Sequence, residues 1–225
     1  RSPLELDRRQ RQMCIRDSYR YRVEFLGDGG HSWGAFGLAN PHHALGGAIQ
    51  NFVTAADKYT SEGPKTSYNV GVIGGGTSVN SIPFESNMLI DMRSEEPSRL
   101  DDMEKILYEA CEAALKAQND IARLGYPIKL KITKIGDRPS GAMGEKNPLI
   151  QNAIGATAFI GKYPRLTVGS TNSNIPISLG VPAVTIGRGG KARNAHSLNE
   201  WWMNDETGPE AIQLALLLFV TECGI

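Results

Sequence analysis

The chain has 225 residues, room for one large or two ordinary domains, and its 40% hydrophobic and 21% charged content is that of a globular protein. Its 24 basic residues balance 24 acidic ones for a formal net charge of +0, which excludes the basic excess a dedicated nucleic-acid binder carries. Three scattered cysteines, Cys14, Cys111 and Cys223, exclude a disulfide framework and fit a reducing, cytoplasmic compartment; the longest apolar run, Leu214 to Val220, falls short of the ~18 residues of a membrane span.

In chain order, Arg1 to Ser18 is charged and without apolar period, and it reads as a non-native or disordered segment without function. Tyr21 to Leu26 alternates apolar and polar residues and predicts a half-buried strand, closed by the turn Gly27-Asp-Gly-Gly30. Asn40 caps a helix opening at Pro41 and running to about Tyr59, with Ala44, Leu45, Ala48, Ile49, Phe52 and Val53 on one face. Strands follow at Thr66–Ile73 and Phe84–Arg93, then a helix from Pro97 through Leu115, then an alternating strand at Pro127–Ile135. The order β-α-β-β-α-β is the ferredoxin-like split motif, with one helix-covered face, one open face and edge strands that invite pairing with another chain.

From Asp137 the pattern changes to α/β. Helices are predicted near Pro148 to Phe159, near Asn174 to Leu179 and from about Thr207 to Cys223, with short strands at Leu166–Val168 and Ala183–Ile186. Two short strands are few beside the ~5–6 of a mean sheet, so this part reads as the closing portion of a larger sheet begun upstream. The expected organisation is therefore residues 1–18 set apart, 19–136 as one domain and 137–225 as part of a second.

There are four histidines, His31, His42, His43 and His196, and no H-x-D, H-x-x-E-H or C-x-x-C pair. A first-row metal takes three or four protein donors. His196, just after the cluster Gly187-Arg-Gly-Gly190, therefore reads as one ligand of a site whose other ligands are absent from this chain, against the plain alternative of a surface histidine. His42 and His43, adjacent on a helix, point to different faces and read as structural. Trp201-Trp202 is expected to pack between domains.

The runs Gly29-Gly-His-Ser-Trp-Gly34, Gly75-Gly-Thr-Ser-Val-Asn-Ser-Ile-Pro83, Asp91-Met-Arg93, Asp137-Arg-Pro139, Gly169-Ser-Thr-Asn-Ser-Asn174 and Ala195-His-Ser197 together resemble the zinc peptidase and deacylase family M-twenty, which includes acetylornithine deacetylase, succinyl-diaminopimelate desuccinylase, carboxypeptidase G, aminoacylase and peptidase T. The resemblance covers the chain from about Tyr19 to its end. It implies a ferredoxin-like lid that dimerises, followed by the C-terminal part of an α/β catalytic domain, the whole enzyme carrying two zinc ions and acting on a small peptide or N-acyl amino acid. The family's upstream ligands and general base have no counterpart here, so the isolated chain is expected to be inactive.

By the same resemblance His196 is the last metal ligand, and His31 reaches from a partner's lid to polarise the scissile carbonyl. Asn80 and Arg93 are the lid's substrate contacts, Arg138 anchors a free carboxylate, and Gly189, with Gly187 and Gly190, belongs to the loop beside the scissile bond; Gly169, Ser170 and Thr171, between a short strand and a helix, offer backbone N–H groups that can bind an anion or carbonyl. Many relatives carry Asp where this chain has Asn172, which removes a charge there. Two other readings stand beside this one: a non-catalytic dimerisation module, or a ferredoxin-like domain binding free amino acids.

Overall fold

The structure, a computed structural model, describes residues 13–14, 17–139, 142–166 and 171–224. Its elements in chain order are β1 (Met13–Cys14), β2 (Asp17–Leu26), β3 (Gly30–His31), α1 (Pro41–Thr60), β4 (Thr66–Gly75), β5 (Ser81–Ile82), β6 (Glu85–Ser94), α2 (Pro97–Asp120) and β7 (Lys129–Arg138). They continue with β8 (Ala142–Met143), α3 (Pro148–Phe159), α4 (Asn174–Ser178), β9 (Lys191–Arg193), β10 (Trp201–Met203) and α5 (Thr207–Cys223). The chain divides into two compact units, Arg16–Pro139 and Arg1–Ile15 with Ser140–Ile225. Sequence alternation alone places that boundary three residues earlier, because it cannot see that β7 stays paired with β2 as far as Arg138.

The first unit is a four-stranded antiparallel sheet in the order β4-β6-β2-β7, with α1 and α2 packed on one face. This is the split β-α-β-β-α-β arrangement the sequence predicts. β6 shows its cause most cleanly: Ser86, Met88, Ile90, Met92 and Ser94 are buried, while Glu85, Asn87, Leu89, Asp91 and Arg93 between them stay half-buried on the open face. Tyr21, Val23 and Phe25 of β2 join that core, as do Phe52 of α1 and Leu100, Met103 and Leu107 of α2. The Asn40 side chain accepts from the His42 amide and starts α1, and Pro41 follows at the first helical position.

Two bulges interrupt the ladders. Gly71 is extra in edge strand β4, between Val70 paired with Ile90 and Val72 paired with Leu89. Ile135 is extra in β7, between Lys134 paired with Tyr21 and Gly136 paired with Arg20. β2 also begins earlier than Tyr19: Asp17 pairs with Ser94, and Ser18 is buried between Arg93 and Arg138.

In the second unit the core is small. Met143, Ile150 and Ile177 are buried, with Ile154, Leu166, Ala183 and Val184 partly buried against them. The three predicted helices are present. The strand expected at Ala183–Ile186 is absent: the segment has no ladder partner among the described residues, and a strand without a neighbour is not stabilised. The one expected at Leu166–Val168 lies partly outside the described residues. A ribbon that alternation does not predict, β9 with β10, pairs Arg193 with Trp201 and Lys191 with Met203. Helix α5 buries Leu214 and Leu218 yet exposes Ile212, Leu216 and Phe219 at helical spacing, so it is apolar on two sides. Among the described residues no helix is long and apolar enough to cross a membrane.

Candidate functional site

His31 and Asn80 are brought together by a short ribbon beside the main sheet. His31 pairs with Ser81 across β3 and β5, and the Ser32 amide donates to the Asn80 carbonyl at 2.8 Å. The turn is tight: a Cβ on Gly30 would lie 2.8 Å from the Ala35 side chain, and Gly29 has φ +70°. The His31 ring is exposed, and its Nδ1 faces two backbone donors, the amides of Trp33 at 3.2 Å and Gly34 at 3.4 Å. An atom that accepts N–H bonds carries a lone pair, so these contacts assign the ring proton to Nε2 and turn it outward as a donor. Ser78 donates to Oδ1 of Asn80, which leaves the amide hydrogens of Asn80 to other partners. Trp33, 88% exposed, stands beside this pair.

Arg93 and Arg138 stand at the same end of the open face, two strands apart. Both pair with Ser18, one from each side of β2, so they occupy one row across three adjacent strands. Next to them Asp91 accepts from Nε of Arg93 at 2.6 Å and from Nε of Arg20 at 2.8 Å. Partial burial would raise the Asp91 carboxyl, but the two guanidinium groups outweigh it and hold it below the ordinary carboxylate range. Arg93 is therefore engaged with Asp91, as the plain ion-pair reading of the sequence has it, through one of its five N–H groups. Sequence reasoning passes over Arg20, whose only signal is its place on the polar side of an alternating strand.

In the second unit Thr171 and Gly189 line one cleft of about 460 Å³, walled by Ile150, Ile154, Val184 and Leu214. The Thr171 amide donates to Oδ1 of the buried Asn174 at 2.9 Å, and its hydroxyl lies 2.8 Å from that of Thr185. Gly169 and Ser170, expected beside Thr171, lie outside the described residues. Gly189 has φ +69°, and a Cβ there would sit 2.1 Å from the Thr207 carbonyl oxygen. The Trp202 indole donates to the Gly189 carbonyl at 3.3 Å, and the Gly190 amide to the Thr207 hydroxyl at 2.7 Å. Trp201 and Trp202 thus lie in strand β10, where Trp202 closes the glycine loop.

His196 is at the tip of the β9–β10 ribbon, exposed, with φ +65°. Its amide donates to Glu200 Oε2 at 2.9 Å, and Asn194, with φ +57°, donates its side-chain amide to the Asn199 carbonyl at 3.3 Å. Left-handed backbone at two non-glycine residues is a strained arrangement held by these bonds. Among the described residues no group of three or more His, Cys, Asp or Glu could hold a metal ion. One imidazole does not make a metal site, so the described residues alone do not fit a zinc centre. His42 bonds through Nδ1 to the Ser86 hydroxyl at 2.6 Å, and His43 lies 3.5 Å from the Asn40 amide.

The profile of the peptidase dimerisation domain family matches residues 15–119. No curated protein sequence matches the chain. Among solved structures, a tripeptidase of Staphylococcus aureus is 16% identical with a TM-score of 0.62, over 92% of this chain and 50% of that one. The aminopeptidase PepT of Bacillus cereus is 16% identical with a TM-score of 0.60, over 92% and 52%. An amidase of the hydantoinase/carbamoylase family from Burkholderia vietnamiensis is 18% identical with a TM-score of 0.55, over 71% and 36%. At these identities the likeness is one of fold, and the chain spans about half or less of the length of these structures.

Proposed function

We propose that the chain, whose residues 15–119 match the profile of the peptidase dimerisation domain family, is the dimerisation domain and C-terminal catalytic portion of a dinuclear zinc-dependent amidohydrolase. Its substrate is a small peptide or N-acyl amino acid, its working form a homodimer through the first unit, and its compartment the cytoplasm. The observation that carries this reading is His31: an exposed imidazole whose two backbone donors assign its outward nitrogen as N–H, next to Asn80.

A fixed donor at the carbonyl oxygen stabilises charge as it develops there, and removal of one such donor commonly costs about 10²–10³ in rate. Arg93 and Arg138 supply planar, permanently charged groups for a substrate carboxylate. Asn80 bonds an amide or carboxylate of the substrate; Gly169, Ser170 and Thr171 bind a carbonyl or anion through backbone N–H groups, and Gly189 belongs to the loop beside the scissile bond. His196 contributes one imidazole to zinc, with the remaining ligands outside this sequence. Zinc, when bound, supplies Lewis-acid polarisation and an activated water.

The test is the coding sequence upstream and the enzyme it completes. An in-frame H-x-D and a Glu-Glu pair are expected there, and His31→Ala in the completed enzyme should lower kcat about 100-fold with little change in KM. The 225-residue chain alone should show no chelator-sensitive hydrolysis of dipeptides or N-acyl amino acids; such hydrolysis would overturn the reading. The isolation of His196 among the described residues favours a second reading, a dimerisation or amino-acid-binding module without catalysis, and upstream sequence lacking those motifs would establish it.

A further inference from the structure

The loop that leads to Asn80 leaves the first unit at a corner where α1, β4 and β6 come together. β4 ends at Gly75, opposite Ser86 of β6. Gly75 has φ +114° and Gly76 φ +76°, backbone that glycine adopts freely. A Cβ on Gly75 would lie 2.4 Å from the Glu85 carbonyl oxygen, so this residue is pressed flat against β6. A Cβ on Gly76 would lie 2.6 Å from Nε2 of His42, so the chain passes directly across that end of the imidazole.

The ring is held at its other end. Nδ1 of His42 lies 2.6 Å from the hydroxyl of Ser86, which is fully buried. The His42 amide donates to Oδ1 of Asn40 at 2.9 Å, which fixes the residue in the first turn of α1. One imidazole therefore joins helix, sheet and loop, with one nitrogen on Ser86 and the other under Gly76. Beyond Gly76 the Ser81 amide donates to the Ser78 carbonyl at 3.2 Å, the Ser78 hydroxyl donates to Asn80 Oδ1, and the Asn80 carbonyl accepts from Ser32 at 2.8 Å. Every residue from Gly76 to Asn80 is exposed, so burial does not hold this loop. Its two ends do: the β3–β5 pairing at Ser81 and the His42 contact at Gly76.

We propose that His42 is a positioning residue: bonded to Ser86, its imidazole seats Gly76 and so fixes where Asn80 presents its amide hydrogens beside His31. This rests on the reading that Asn80 and His31 contact the substrate. His42 acts through the loop and not on the ligand. The role needs the ring and the bond together, because a ring without the bond turns freely and a bond without the ring leaves Gly76 unsupported.

NMR of the 225-residue chain follows the side-chain amide of Asn80 and the backbone amides of residues 76–80. His42→Phe keeps a ring and loses the bond; it should move these signals and lower the loop order parameters from about 0.85 to below about 0.6, with β2 and β6 unchanged. His42→Gln, which keeps a partner for Ser86, should restore the Asn80 signals in part. Gly76→Ala should displace Asn80 in the parent chain and do so much less once His42→Ala has removed the ring, since the two changes share one contact. Asn80 signals in His42→Phe identical to those of the parent, or an equal effect of Gly76→Ala with and without the ring, overturn the proposal. In the completed enzyme a misplacement of about 1 Å can cost about 100-fold in rate, and a loop loosened at one end should cost about tenfold in kcat with KM little changed. Asn80→Ala without effect on kcat overturns the reading on which this inference rests. A loss from Asn80→Ala with none from His42→Phe overturns the role of His42 alone. Far-UV circular dichroism identifies any variant that has lost its fold, and for such a variant the His42→Gln comparison decides.

Discussion

Gly189 shows how closely a predicted site residue can be bound to structural need. Its φ is +69°, and a Cβ there would come within 2.1 Å of the Thr207 carbonyl oxygen, which forbids a side chain. Gly189→Ala should therefore destabilise the second unit by about 2 kcal/mol, measured by urea unfolding through Trp201 and Trp202 fluorescence. That role is not separable from a substrate role in the sequence, since a glycine run gives the same signal for a turn and for close approach to a ligand. His31 is the more legible residue. Glycines on its N-terminal side announce a tight turn, but the tautomer comes only from the amides of Trp33 and Gly34 folding back over Nδ1. Nitrogen-15 NMR of the imidazole should show an unprotonated Nδ1 and a protonated Nε2 at neutral pH; the reverse tautomer would remove the outward donor. The link of Arg20 to Asp91 is illegible, because it depends on the register of β2 against β6, which residue identity does not mark.

Among the elements, α1 is written plainly in the sequence: Asn40, Pro41 and the apolar stripe give its start and its buried face, and the structure places it at Pro41–Thr60. Asn40→Ala should cost about 1 kcal/mol in denaturant stability through loss of the bond to the His42 amide. The strands β2, β4, β6 and β7 are likewise legible by alternation, with their ends off by a few residues where pairing continues into polar sequence. The β9–β10 ribbon is hidden because each arm has three residues, too few for a period. Between the sheet and its helices lies a feature that periodicity does not report. Tyr19 donates to Asp101, Tyr21 to Glu104 and Tyr68 to Asp57. Burial first, and then these carboxylates, push Tyr19 and Tyr68 from an ordinary 10 to about 12, and Tyr21 further in the same direction. A raised value in the folded state means the tyrosines stabilise it fully below pH 10 and lose that contribution as pH climbs toward 12. Urea midpoints should hold steady up to pH 10 and fall above it, and Tyr21→Phe should flatten that fall.

At the scale of the whole molecule, the two units differ in how much they bury. Among the described residues, the first has nineteen buried hydrophobic residues in one cluster, the second three. Apolar burial is the main stabilising term, so heating should melt the second unit first. The fluorescence of Trp201 and Trp202 should change before Cys111 becomes reactive, since burial pushes that thiol up to about 12 and shields it until the first unit opens. A single coincident transition would contradict this. The exposed stripe Ile212, Leu216 and Phe219 should also bind a hydrophobic dye in the unheated protein. Here the sequence is informative by its shortage of strands, which foretells an under-filled layer, and uninformative about what fills it. The bulge in β4 has a consequence for assembly. A strand that turns at Gly71 offers a straight template only from Thr66 to Val70. Such an edge suits a short antiparallel pairing with its own copy, which closes at two. It is a poor seed for the flat, open-ended stacking of fibrils, so the same extra glycine that bends the sheet also caps its growth.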